Sequence, residues 1–167
     1  MLGPLCIAQA SLSIDDWSPG EKAPDLWAIL GQAVGQTKRD AKTKIAVGDS
    51  KKLKLANSSV RQHPLIHLER AVLAFLGAKL EDQPWYHGEP IELPLGTNQE
   101  LLGVDVSHLR TTMHKQGVEL VDLQVQTIDV GEFNAIYLRH QSKGAATQQG
   151  LVHHLQTVQD KRPDFDY

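Results

Sequence analysis

Hydrophobic positions along the chain follow two spacings, one typical of strands and one typical of helices. Short strand candidates begin at Leu5 and at Lys44, and the segment from Val118 to Ile128 alternates as a strand does. Apolar residues three and four positions apart predict helices after Asp25, after Pro64, after Thr97, at 131–138 and at 141–158. Because strands and helices follow one another in turn, we predict an α/β fold with a mixed or parallel sheet flanked by helices.

The helix after Asp25 and the segment that follows it are predicted in more detail. Asp25 is placed to cap the helix, and the apolar positions run on with helical spacing as far as Val34. The polar segment from Gly35 to Thr43 is then predicted to be a linker.

The strand from Val118 to Ile128 has two faces of different character. Its alternation places the apolar side chains of Val121, Leu123 and Val125 on one face, and two glutamines, Gln124 and Gln126, on the other.

Length and local composition bear on domain organisation. A chain of 167 residues fits one domain, residues 1–167. Residues 81–96 contain three prolines around Trp85 and Tyr86, which predicts a loop-rich insertion.

Charge is uneven along the chain. The formal net charge is −3, which argues against a strongly basic nucleic-acid binder, but a local basic patch acts independently of the total. The densest basic cluster lies in residues 38–54 and consists of Lys38, Arg39, Lys42, Lys44, Lys51, Lys52 and Lys54. Both a solvated loop and a phosphate-binding surface fit this cluster.

Several site classes are excluded or disfavoured by residue type. The single cysteine, Cys6, excludes an internal disulfide and a cysteine-based zinc site. His63 and His67 have a spacing that binds zinc. However, no glutamate stands at the position that a metalloprotease helix requires, and no third ligand is indicated. The remaining carboxylates between elements are expected to be solvated, namely Asp105, Asp122 and Asp129. Because no apolar stretch approaches ~20 residues and no basic leader precedes the first apolar run, the default expectation is a cytoplasmic protein without a membrane partner.

The segment Asp49-Ser50-Lys51-Lys52-Leu53 carries the most informative chemistry. It leaves the end of a predicted strand, where open α/β sheets bind ligands, and its lysines could hold phosphate. Alternatively, Asp49 or Ser50 caps a turn and the lysines are solvated, and the residues alone favour this simpler interpretation.

The same segment resembles the Asp-Ser-Lys-Lys-Leu motif of ribonuclease HII. Gly3-Pro4 and the apolar run after it are similar to that family's opening strand, and Glu132-Phe133-Asn134 with Lys143 to Thr147 is similar to a later helix pair. The resemblance covers nearly the whole chain. It implies a ribonuclease H-like fold, an RNA–DNA hybrid as substrate, magnesium or manganese as cofactor, and Asp49, Ser50, Lys51 and Lys52 beside the active site.

The sequence also departs from that family at the catalytic carboxylates. The family's Asp-Glu pair before Gly3-Pro4 has no counterpart, and no apolar strand precedes Asp160, so no catalytic acid and no metal ligand is identified. We therefore expect a ribonuclease HII-like domain that is truncated at both ends and inactive as written. The alternative is a non-catalytic domain that binds nucleic acid or a protein partner through residues 38–54.

Overall fold

The structure is a computed structural model, and it describes residues 4–15, 17–18, 20–77 and 92–163. Strands and helices are both present in this part of the chain, which confirms the α/β class. The strands are β1 (Leu5–Ile14), β2 (Val34–Gly35), β3 (Ile45–Ala46) and β4 (Val118–Ile128). The helices are α1 (Leu26–Ile29), α2 (Ser50–Leu53), α3 (Ile66–Leu76), α4 (Gln99–Lys115), α5 (Val130–His140) and α6 (Gly144–Lys161).

The described strands form two separate two-stranded sheets, β1 with β4 and β2 with β3. The chain likewise divides into two compact units. The β1–β4 unit takes in the described residues within 4–13 and 120–163, and the β2–β3 unit takes in those within 14–77 and 92–119. A ribonuclease H-like sheet and a single domain stay predictions, and residues 81–91 of the expected insertion lie outside the described residues.

The β1–β4 unit has a small apolar core beneath α5 and α6. Ile128, Phe133, Ile136 and Ala146 are buried together. Helix α5 begins at this core because the Asp129 carboxylate accepts the backbone N–H of Glu132 at 2.8 Å. Asp129 is exposed, as expected, and the cap is a structural role that the sequence analysis did not assign to it.

Strand β4 is where it was predicted, but its more buried face is the one that carries Asp122, Gln124 and Gln126. Asp122 is 7% exposed, whereas Val125 on the opposite face is 42% exposed. The side-chain amide of Gln124 bonds the Nδ1 atom of the buried His154 at 3.1 Å, and Lys161 pairs with Asp122. The polar face turns inward because α6 offers it hydrogen-bonding partners, so the expectation of a solvated Asp122 is wrong.

The β2–β3 unit contains a parallel strand pair, of which β3 was predicted from the sequence and β2 was not. Val34 pairs with Ile45 and Gly35 with Ala46. The predicted helix after Asp25 therefore stops at Ile29, and the predicted linker begins inside a strand. Val34 is β-branched, which favours a strand over a helix, and it is 5% exposed in its pair with Ile45.

Helices α3 and α4 pack beside this strand pair and are fastened by a buried ion pair. The Arg70 guanidinium contacts the Asp105 carboxylate through Nε at 2.5 Å and Nη2 at 2.7 Å, and it donates to the Ala41 carbonyl at 2.7 Å. Both charged residues are 7% exposed. The expectation that Asp105 is solvated is wrong, because its partner lies on a different helix.

Candidate nucleic-acid interface

The parallel pairing of β2 and β3 brings two loops to one edge of the sheet. Parallel strands end at the same edge, so the loop at 36–40 and the loop at 47–50 leave the sheet side by side. Their backbones touch, since a Cβ placed on Gly48 would lie 2.9 Å from the carbonyl oxygen of Gln36. We define the basic edge as the four exposed cations that follow these strands, Lys38, Arg39, Lys51 and Lys52.

The loop after β2 is shaped by the carboxylate of Asp40. One of its oxygens accepts the backbone N–H of Gln36 at 3.1 Å and of Thr37 at 2.9 Å, and the Thr37 hydroxyl at 2.8 Å. These bonds, led by the hydroxyl of Thr37, lower the pKa of Asp40 below its ordinary value. Lys38 and Arg39 therefore lie in a tight turn whose backbone is fixed by an ionised carboxylate.

The loop after β3 leads into the Asp49–Leu53 motif, in which Asp49 caps the short helix α2. Here the capping interpretation is confirmed. The Asp49 carboxylate accepts the backbone N–H groups of Lys51 at 2.8 Å and Lys52 at 3.4 Å. Leu53 is 1% exposed and anchors the turn in the core. Ser50, Lys51 and Lys52 are exposed, so a capped turn presents both lysine side chains to solvent.

The wider basic cluster has a single member that is used inside the fold. Lys44 is half-buried, and its ammonium donates to the carbonyl of Gly31. The other six basic residues of 38–54 are exposed, and none forms an ion pair with a carboxylate in the part of the chain that the structure describes. Both of the nearby acids, Asp40 and Asp49, accept backbone N–H groups instead.

Two further side chains lie in this unit, Trp27, which was not identified from the sequence, and His67, which was considered there only as a zinc ligand. The indole N–H of Trp27 donates to the Val47 carbonyl at 2.9 Å, which places the ring where β3 ends. Burial and the positive charges of Arg70 and Lys38 together lower the pKa of His67. No local signal indicates the Trp27 contact, because its partner is 20 residues away.

The described residues do not provide the donor set that two divalent cations need. Among residues 4–15, 17–18, 20–77 and 92–163, no group of three or more His, Cys, Asp or Glu side chains could hold a metal ion. His63 uses its Nδ1 atom to accept the backbone N–H of Leu65 at 3.3 Å. Asp160 is exposed near the end of α6, in the other unit from Asp49.

Within the described ranges, no helix has the length and apolar character required to cross a bilayer. Comparisons of the chain with protein-family models, with curated proteins and with solved structures find no match.

Proposed function

We propose that this chain is a nucleic-acid-binding domain of ribonuclease HII type, which holds the phosphate backbone of an RNA–DNA hybrid at the basic edge. The observation that carries the proposal is the parallel pairing of β2 and β3, because it brings two separate pairs of exposed cations to one edge of a sheet. The resemblance of Asp49–Leu53 to the ribonuclease HII motif supports the choice of hybrid as ligand.

The chemistry of the basic edge suits a polyanion better than a single small anion. Two of its four cations lie in the loop after β2 and two lie in the short helix α2, and all four residues are exposed. Lysine contacts phosphate as a flexible point charge, whereas arginine adds a planar fork that can bond two oxygens. Because the chain as a whole carries a net charge of −3, attraction to phosphate depends on local basic patches such as this edge.

The proposal is limited to binding. Asp40 and Asp49 are the acids nearest to the edge cations in sequence, and their carboxylates hold backbone N–H groups of the two loops. Magnesium or manganese, which the family resemblance implies, would need further carboxylates that the described residues do not bring together. We therefore assign no cleavage step to these side chains.

A metal-free binding titration tests this function. Fluorescence anisotropy of a labelled RNA–DNA hybrid, measured in EDTA, compares the unmodified protein with the Lys51→Ala/Lys52→Ala variant. We expect affinity to fall about tenfold or more, because two phosphate contacts are lost. The matched control is Lys115→Ala/Lys143→Ala, which removes the same charge from helix ends outside the basic edge. No binding by the unmodified protein, or an equal loss in the control, would overturn the proposal.

A further inference from the structure

An exposed tryptophan lies beside the basic edge and is fixed in place at both its backbone and its ring. The backbone N–H of Trp27 donates to the Asp25 carboxylate at 3.0 Å, and its indole N–H donates to the Val47 carbonyl at 2.9 Å. Val47 is two residues before Asp49, the cap of the turn that carries Lys51 and Lys52. The ring is thus tied to the end of the strand that leads into the basic motif.

Trp27 also keeps a large exposed surface. Trp27 remains 42% exposed although its only side-chain donor is already bonded inside the protein. An aromatic ring held through its own indole N–H, on a backbone that is itself hydrogen-bonded, loses little further freedom on binding, which lowers the entropic cost of contact. Exposed aromatic surface is poorly hydrated and offers a face on which another flat ring can stack.

We infer that Trp27 is a stacking platform for an unpaired nucleobase whose phosphates contact the basic edge. This inference rests on the proposed function and specifies which kind of RNA–DNA hybrid the basic edge prefers. Bases inside a duplex are already stacked on both sides, so free base faces are offered by a terminal pair, by a frayed end and, most fully, by the unpaired bases of a single-stranded segment. The combination of a cationic track with an aromatic platform is how proteins hold single strands. The preferred ligand is therefore a hybrid that continues into a single strand.

The test compares a blunt RNA–DNA hybrid with the same hybrid carrying a short single-stranded extension. We expect the unmodified protein to bind the extended hybrid about fivefold more tightly or better, which is the range that base–aromatic stacking provides. Trp27→Leu keeps apolar volume without a ring and should bind both hybrids equally. Trp27→Phe keeps a ring and should retain part of the preference. Val104→Ala, which shortens an exposed side chain on α4, should retain all of it.

The outcomes separate this inference from the proposed function. Equal binding of both hybrids by the unmodified protein, or a preference that survives Trp27→Leu, would overturn the stacking role and leave hybrid binding intact. Binding of neither hybrid would overturn both.

A second measurement keeps the inference testable if Trp27→Leu does not fold. In a Trp17→Phe/Trp85→Phe protein, Trp27 is the single tryptophan, and Phe at 17 costs no hydrogen bond because the Trp17 indole nitrogen has no partner. Stacking requires the extended hybrid to quench Trp27 fluorescence more strongly than the blunt hybrid at saturation. Equal quenching by the two hybrids would contradict it.

Discussion

In the β2–β3 unit the buried Arg70 is bonded to Asp105 and to the Ala41 carbonyl, whereas in the β1–β4 unit the equally buried Asp122 is only half satisfied. One oxygen of Asp122 pairs with Lys161, whose side chain is 48% exposed, and the other has no hydrogen-bond partner. The side-chain oxygens of Gln126 and Thr127 on the same strand are buried without partners as well.

The difference teaches where each unit is rigid. A buried ion pair stabilises a fold best when its remaining hydrogen-bonding capacity is used, and all three side-chain nitrogens of Arg70 donate, two to Asp105 on α4 and one to the Ala41 carbonyl. The bond from Arg70 to the Ala41 carbonyl therefore fixes the backbone directly after the loop that carries Lys38 and Arg39. The β1–β4 unit has no such clamp among its described residues, and its buried polar atoms cost free energy that an apolar side chain would not.

Removal of Asp105 should have the largest effect on folding. Asp105→Ala leaves the Arg70 guanidinium buried without its counter-ion, and we expect a loss of about 3–5 kcal/mol in the free energy of unfolding. Denaturant unfolding measures this loss. The double variant Arg70→Met/Asp105→Leu removes both charges and should recover much of it. A loss below about 1 kcal/mol in Asp105→Ala would show that the pair is not buried in solution.

The matched substitution in the other unit, Asp122→Ala, should cost far less. Lys161 is half exposed and can return to water, and the substitution also removes an unpartnered buried oxygen. We expect the free energy of unfolding to change by about 1 kcal/mol or less. The same denaturant experiment checks this, and a loss as large as that of Asp105→Ala would erase the contrast between the two units.

A pH effect should come from His67 in the β2–β3 unit. Burial and the charges of Arg70 and Lys38 hold its pKa below the ordinary value of 6.5, so the unfolded chain takes up this proton first as the pH falls. The contribution of His67 therefore lowers stability as the pH falls through 6.5 and levels off at the lowered folded pKa. His67→Gln should flatten the pH dependence of thermal stability over that range, and a dependence equal to that of the unmodified protein would contradict this role of His67.

The smallest effect on folding is expected at the basic edge itself. Lys51 and Lys52 are exposed and bond the fold through their backbone rather than their side chains. Lys51→Ala/Lys52→Ala should change the free energy of unfolding by about 0.5 kcal/mol or less while hybrid binding falls. Denaturant unfolding separates the two effects, and a large loss of stability would mean that the binding defect reflects misfolding.

Contrasts between residues show how far sequence reasoning reaches. The Asp49 turn was predictable because its cap and both amide donors lie within four residues, and β4 was predictable from its alternation. The basic edge as a surface was not, because it depends on β2, whose Val34 fits a helical pattern equally well. Asp105 was misjudged because its partner lies 35 residues away. Asp122 was misjudged for the same reason, with Lys161 lying 39 residues away.

The central claim, that two loops act as one phosphate-binding edge, is tested most directly by the salt dependence of hybrid binding. The logarithm of the binding constant is plotted against the logarithm of salt concentration for the unmodified protein and for Lys38→Ala/Arg39→Ala/Lys51→Ala/Lys52→Ala. Each lost phosphate contact should reduce the slope by roughly 0.7–0.9, so we expect a reduction of about 3. The two double variants, one for each loop, should each account for about half of that reduction. An unchanged slope in the quadruple variant, or a change caused by one loop alone, would contradict the account.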